Sequence, residues 1–165
     1  MRFFEDIEIG QRRELGSFTF SAELIKTFAR QFDPQRFHLD EEAGRKSLFG
    51  GLAASGWHVG SVCMKLLVAD GQCQAAEAAA RGEKVAIWGP SLGFRELRWL
   101  APLRPDDELT LDIDVVEARV SRSRPETGIV TFKGVVRNAG GQVLCEMVSP
   151  ILVQRRAGVT AEQAG

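Results

Sequence analysis

Gly51-Leu52-Ala53-Ala54-Ser55-Gly56-Trp57-His58-Val59-Gly60-Ser61-Val62-Cys63-Met64-Lys65-Leu66-Leu67-Val68-Ala69 is the stretch whose reading decides the fold. With histidine neutral, its only charged side chain is Lys65. A helix over Leu52 to Ala69 is apolar on nearly every face, and such a helix must be surrounded. Lys65, His58 and the interspersed glycines and serines make it a core helix rather than a membrane span. The remaining sequence has to supply the wrapper.

The wrapper lies downstream. Leu109, Leu111, Ile113 and Val115 alternate with Thr110, Asp112 and Asp114, the pattern of a half-buried strand. Val130, Phe132, Gly134 and Val136 repeat it, with Lys133 facing out. Asn138-Ala139-Gly140-Gly141 is a turn signal, and Val143 to Val153 follows as another strand. Leu92 to Leu100 reads as a strand leading into the loop Ala101 to Asp107. Three or four long antiparallel strands around one buried helix make an α+β fold: a long central helix wrapped by a curved antiparallel sheet.

Upstream, Gln11 to Phe20 reads as a first strand weakened by Gly16. Ser21 is a good N-cap, and Leu24, Ile25, Phe28, Ala29 and Phe32 then share one helical face. Asp33-Pro34 ends that helix, because the residue before proline is pushed out of the helical region. Asp40 is placed to cap a short helix over Glu41 to Arg45, and Gly50-Gly51 opens the central helix. Gln72 to Lys84 is alanine-rich and is expected to be a short exposed helix or a mobile excursion near the site mouth. Residues 1–156 form one domain, and the small, polar tail 157–165 is expected to fray.

Twenty-one basic residues balance 22 acidic ones, which leaves no field for nucleic acid or an anionic membrane. Cys63, Cys73 and Cys145 form no CxxC and leave an odd one over, arguing against a disulfide framework and a zinc site and for a reducing, cytoplasmic setting. Glu5 and Asp6 come early with no apolar run, so no signal peptide is expected. A Walker loop, GxGxxG, GxSxG and HExxH are all missing, so nucleotide hydrolysis, dinucleotide redox, α/β-hydrolase and zinc-protease chemistry lack their signals.

The chemistry-bearing segment is Phe32-Asp33-Pro34-Gln35-Arg36-Phe37-His38-Leu39-Asp40. The chain has two histidines, and His38 lies five residues after Asp33 in a loop-like stretch. A carboxylate and an imidazole converging on one water are the minimum equipment for adding water to a double bond or removing it. The bland reading has Asp33 stopping a helix and His38 on the surface. Gly50 and Gly51, read as a helix start, expose backbone N–H groups suited to a carbonyl that gains negative charge, or else merely let helix and sheet approach. Ser55 is placed to orient Asp33, or to bond a backbone carbonyl. His58, mid-helix, reads as core. Trp57, Trp88 and Trp99 read as packing, and Arg95, Arg98 and Arg104 as surface arginines that could also meet phosphates.

These residues, with Ser47-Leu48-Phe49-Gly50-Gly51 through Trp57 and Arg104-Pro105-Asp106-Asp107-Glu108-Leu109, resemble the MaoC-like dehydratase family, which includes the (R)-specific enoyl-CoA hydratases. The resemblance runs from about Phe4 to Val153. It implies a hot-dog fold, homodimer assembly and reversible syn hydration of a trans-2-enoyl thioester, with coenzyme A entering only as part of the substrate and no separate cofactor or metal. It assigns Asp33 and His38 to the catalytic pair, Gly50 to the oxyanion donor and Ser55 to the support of the aspartate. Gln35, Arg36, Phe37 and Gly51 become the expected substrate contacts. The family core usually reads Gly-Asp-x-Asn-Pro-x-His. Here Phe32, Gln35 and Arg36 replace the glycine, asparagine and proline, and Arg36 adds a charge able to meet a carboxylated acyl group. A hot-dog thioesterase and a non-catalytic acyl-thioester-binding protein are the competing readings.

Overall fold

The alternation at residues 109–115 becomes the spine of a sheet in the computed structural model, which describes residues 2–156. Strands β4 (Glu108–Val120), β5 (Thr127–Asn138) and β6 (Val143–Gln154) pair antiparallel in turn, with Ile113 opposite Gly134 and Gly134 opposite Met147. Strand β1 (Arg12–Thr19) joins β4, with a register shift between Glu14 and Ser17. On the other side β6 meets two short strands laid end to end, β2 (Trp88–Ser91) and β3 (Glu96–Trp99). The order is β1-β4-β5-β6-β2, with β3 also on β6. The single strand expected over Leu92 to Leu100 is thus the second half of an interrupted edge. Pro90, which has no N–H to donate, is tolerated there because an edge strand has one unpaired side.

The central helix α4 spans Gly56–Ala80. It begins later than Leu52 because residues 53 and 54 are held extended: Ala53 N–H donates to the Phe37 carbonyl at 3.3 Å and Ala54 N–H to the Leu103 carbonyl at 2.9 Å. Ser55 then caps the helix, its Oγ accepting from Trp57 N–H at 3.2 Å. The alanine-rich stretch is not a separate helix. Gln72 to Ala80 continues α4, since nothing breaks it before Gly82, whose φ of 70° lies in the left-handed region.

The sheet covers only one side of α4. Val59, Val62 and Cys63 are buried against the core with Leu109, Leu111, Val130, Val136 and Leu144. Trp57, Met64 and Val68 on the opposite side are 58%, 50% and 49% exposed. The expectation of a helix surrounded on all faces therefore fails for the single chain.

Before α4 comes a helical overhang. Helix α1 (Ala22–Phe32) is capped by Ser21, whose Oγ accepts from Leu24 N–H, and it buries Ile25 and Ala29 fully while Phe32 stays exposed. One turn of helix that the sequence did not announce, α2 (Arg36–Leu39), is followed by α3 (Glu41–Arg45), capped by Asp40 as expected. The two ends of the described chain meet: buried Arg155 donates to Glu5 at 2.9 Å and to the Pro125 carbonyl, and Arg156 donates to Asp6 at 2.7 Å. The expected fraying of 157–165 lies outside the described residues. Among the described residues, no helix is long and apolar enough to cross a membrane.

Candidate active site

Asp33 is the residue at which α1 stops. Its N–H still donates to the Ala29 carbonyl, but its own backbone has left the helix, as Pro34 requires. Gln35 N–H then turns back to the Asp33 carbonyl, and His38 N–H bonds the Gln35 carbonyl, so α2 folds directly over the end of α1. This tight reversal brings His38 Nε2 to 3.4 Å from Asp33 Oδ2. The imidazole is 6% exposed and the carboxylate 18%, so the pair is largely shielded from solvent, the carboxylate less so than the ring.

The other ring nitrogen fixes the tautomer. His38 Nδ1 lies 2.7 Å from the Ala53 carbonyl, an acceptor only, so Nδ1 carries a proton, and in the neutral form of the ring Nε2 presents a lone pair toward Asp33. Phe37 packs edge-on to the ring at 4.6 Å, and Phe49 lies beyond it at 6.1 Å. Burial pushes the Asp33 carboxyl up, but hydrogen bonds from Ser55 and Gln35 outweigh it, helped by the charge His38 carries whenever it is protonated, and hold the group below the usual carboxylate range. Asp33 therefore stands as a carboxylate. With the ring neutral, two acceptors 3.4 Å apart are both within reach of a single water or hydroxyl lying to one side of the pair.

The remaining expected site residues sort themselves by contact. Ser55, fully buried, reaches Asp33. Gln35, an exposed residue, donates from Nε2 to Asp33 Oδ1 at 2.8 Å. Phe37 packs on Phe49 as well as on His38. Arg36 is exposed and makes no ion pair among the described residues, on the rim of a concavity of about 420 Å³ shared with Phe37, Asp40 and Lys46. Gly51 lies against the Arg104 guanidinium.

Gly50 is displaced from the position its expected role needs. It is six residues before the helix, in a turn with φ 66°, and its N–H donates to the Ser47 carbonyl at 3.1 Å. The N-terminal backbone donor of the central helix belongs to Gly56. A Cβ at Gly56 would lie 2.3 Å from the Trp99 indole, so the aromatic ring and a side chain cannot both occupy that spot. Sequence reading missed Gly56 because the run Leu52–Ala54 is as apolar as the helix itself.

His58 is core, as expected. It stacks face to face on Phe28 at 4.5 Å and edge-on to Phe20 at 4.7 Å, and its buried Nδ1 has no hydrogen-bond partner among the described residues. The tryptophans pack: Trp57 against Trp99, Trp88 on Phe132. A concavity of about 970 Å³ is lined by Arg2, Arg13, Glu77, Arg81, Lys84 and Arg156 near the end of α4, about 30 Å along the helix from Ser55. It is remote from the Asp33–His38 pair.

This geometry can be set beside known proteins. The sequence profile of the MaoC-like domain matches residues 6–137. The uncharacterized protein YdeM of Bacillus subtilis is 32% identical over 127 residues, covering 77% of this chain and 81% of YdeM. The crystal structure of a MaoC-like dehydratase from Rhodospirillum rubrum is 39% identical, covers 94% of this chain and 99% of its own, and superposes with a TM-score of 0.79. An (R)-hydratase from A. caviae involved in PHA biosynthesis, 22% identical over 92% of this chain and 99% of its own, shares the fold with a TM-score of 0.59. The helix held in a curled antiparallel sheet is the hot-dog fold, and the chain belongs to the MaoC-like dehydratase family.

Proposed function

We propose that this protein is a hydro-lyase that adds water to a trans-2-enoyl-CoA or a related acyl thioester, or removes it. The observation that carries the reading is the facing pair of acceptors, Asp33 Oδ2 and His38 Nε2, 3.4 Å apart beneath aromatic cover. A water donating one proton to each is held with its oxygen lone pair outward, toward the substrate.

In the hydration direction, His38 Nε2 takes a proton from the water as its oxygen bonds to C3 of the enoyl group. The C2=C3 electron pair moves toward the thioester carbonyl, and the Gly56 N–H is the donor for the charge that gathers there, a place first assigned to Gly50. The imidazolium, stabilised by ionised Asp33, returns a proton to C2 on the same face. Asp33, held low by Ser55 and Gln35 against the upward push of burial, stays an acceptor throughout. Dehydration is the reverse.

The protein acts in this reading as a cytoplasmic homodimer, supported by three free cysteines and by the uncovered side of α4 beside an edge whose outer backbone is unpaired. Arg36, exposed on the rim without an ion-pair partner among the described residues, supports an acyl group that bears a carboxylate.

The test is an assay on trans-2-enoyl-CoA substrates of increasing length, following the conjugated enoyl absorbance and free thiol together. Loss of absorbance without thiol is the expected result. Thiol release means a thioesterase, and binding without either change means an acyl-thioester-binding protein. Arg36→Ala should spare neutral substrates and weaken a carboxylated one by about 1.5–3 kcal/mol of transition-state binding.

A further inference from the structure

We infer that the turn Arg104–Asp107 is a bracket that sets the geometry of the Asp33–His38 pair, with Arg104 as its positioning residue. The inference rests on the reading of that pair as the reacting groups.

The bracket holds both arms of the site. On one side, Asp106 N–H donates to the Phe20 carbonyl at 2.6 Å and Phe20 N–H donates to the Asp107 carbonyl at 3.1 Å. Phe20 immediately precedes Ser21, the cap of α1, and α1 is the helix that ends on Asp33. On the other side, the Arg104 guanidinium donates through Nη1 to the Leu52 carbonyl at 3.3 Å and through Nη2 to the Phe49 carbonyl. Leu103, next to it, accepts from Ala54 N–H at 2.9 Å. Residue 53 lies between these anchors, its own N–H bonded to the Phe37 carbonyl, and its carbonyl is the group that binds His38 Nδ1.

The consequence is directional. The segment from Phe49 to Ala54 contains two adjacent glycines and no regular structure, so its peptide planes are free to turn unless something fixes them. Arg104, with the Ala53 N–H bond to Phe37, fixes the plane before residue 53, and Leu103 holds the next plane, which carries the Ala53 carbonyl. The Ala53 carbonyl is then left with one orientation, toward the imidazole. A lysine could reach one of the two carbonyls but not span both, because only a planar guanidinium offers parallel donors. The turn itself is rigid: Arg104 N–H bonds Asp107 Oδ2 at 2.8 Å, Asp107 N–H returns to the Arg104 carbonyl, and Asp106 is held at φ 65°, a conformation that persists only where contacts impose it.

The chain's two histidines make the test direct. In nitrogen-15 spectra of the whole protein labelled at histidine, His38 should show the Nδ1–H tautomer alone, with buried His58 as the internal control. In Arg104→Lys and Arg104→Met, checked for folding by melting, His38 should shift toward mixed tautomers while His58 stays unchanged. Turnover on an enoyl thioester should fall about 10- to 100-fold with KM within about 3-fold, the signature of lost positioning rather than lost binding. Gly51→Ala, which pushes on the guanidinium from 3.0 Å, should produce a smaller change of the same kind if the arginine variants do not fold. Folded variants with a single wild-type His38 tautomer and unchanged turnover would overturn the proposal. A wild-type protein without hydratase activity would sink the reading of the pair instead, and the tautomer shift would still decide whether Arg104 positions His38.

Discussion

The Ser55 hydroxyl serves α4 and Asp33 at once: its oxygen accepts from Trp57 N–H, and its nearness to the Asp33 carboxylate helps to hold that group below its ordinary range. Ser55→Ala should therefore lower stability by about 1 kcal/mol through the lost cap and raise the Asp33 carboxyl toward its ordinary value. A carboxyl lowered in the folded state stabilises above its unfolded pKa, near 3.8, and loses that contribution as pH falls through the folded value. Melting curves should show the part of the wild-type advantage owed to Asp33 shrinking below that pH.

Asp33→Asn and His38→Ala should each reduce turnover by about two orders of magnitude or more. The double variant should be little worse than either single one, because groups acting on the same water are not additive. Steady-state kinetics with the fold checked by circular dichroism would read this. Two small, additive losses would remove both residues from the mechanism.

Gly50 and Gly56 should separate by experiment. Gly50→Ala forces a side chain into φ 66° and should cost about 1 kcal/mol in stability with turnover nearly unchanged, since its N–H is already taken by Ser47. Gly56→Ala should lower turnover more than melting temperature, above all when Trp99→Ala is introduced with it to relieve the contact with the indole. Equal turnover in that double variant and in Trp99→Ala alone would show that Gly56 only makes room for the ring.

His58 is held neutral by burial, which drives its pKa from 6.5 down to about 4. The unfolded chain then binds the extra proton between those values, so this group erodes stability as pH falls from 6.5 toward 4 and contributes nothing above that window. His58→Phe, which keeps the stacking with Phe28 and removes the unpartnered Nδ1, should flatten that decline by about 1–3 kcal/mol at the acid end. Urea titrations at pH 7 and pH 4.5 compare the two proteins. An undiminished slope would mean the decline comes from elsewhere.

The uncovered face of α4 predicts association. Met64→Glu and Val68→Glu place charges on it without touching the core. Light scattering at micromolar concentration should find a mass twice that of the chain for the wild type and a shift toward monomer for the double variant. A wild-type monomer throughout that range would remove the dimer.

Sequence legibility followed the kind of signal involved. Strand β4 is legible because one-sided burial writes an alternating pattern into Leu109–Val115; β5 is legible from the apolar series Val130, Phe132 and Val136, although Thr131 and Val135 on its other face are buried as well. The caps Ser21 and Asp40 were visible because short polar side chains stop helices in a recognisable way. The start of α4 was not: Leu52–Ala54 is apolar because it is buried as extended chain between Phe37 and Leu103, and no composition separates that from a helix. Its end was hidden for the opposite reason, since Gln72–Ala80 is helical by propensity while largely exposed, so apolar periodicity stopped before the helix did. The bond from the Gln35 amide back to Asp33 is a matter of conformation that residue spacing does not show. The role of Arg104 depends on two backbone carbonyls far away in sequence, which leave no trace in residue types.

The contact between Glu5 and Arg155, 150 positions apart, closes the chain into something near a ring. A short linker joining residues near 5 and 155, with a new opening in the turn Asn138–Gly141 between β5 and β6, would retain every strand pairing, and a circularly permuted protein should still assemble the same sheet and helix.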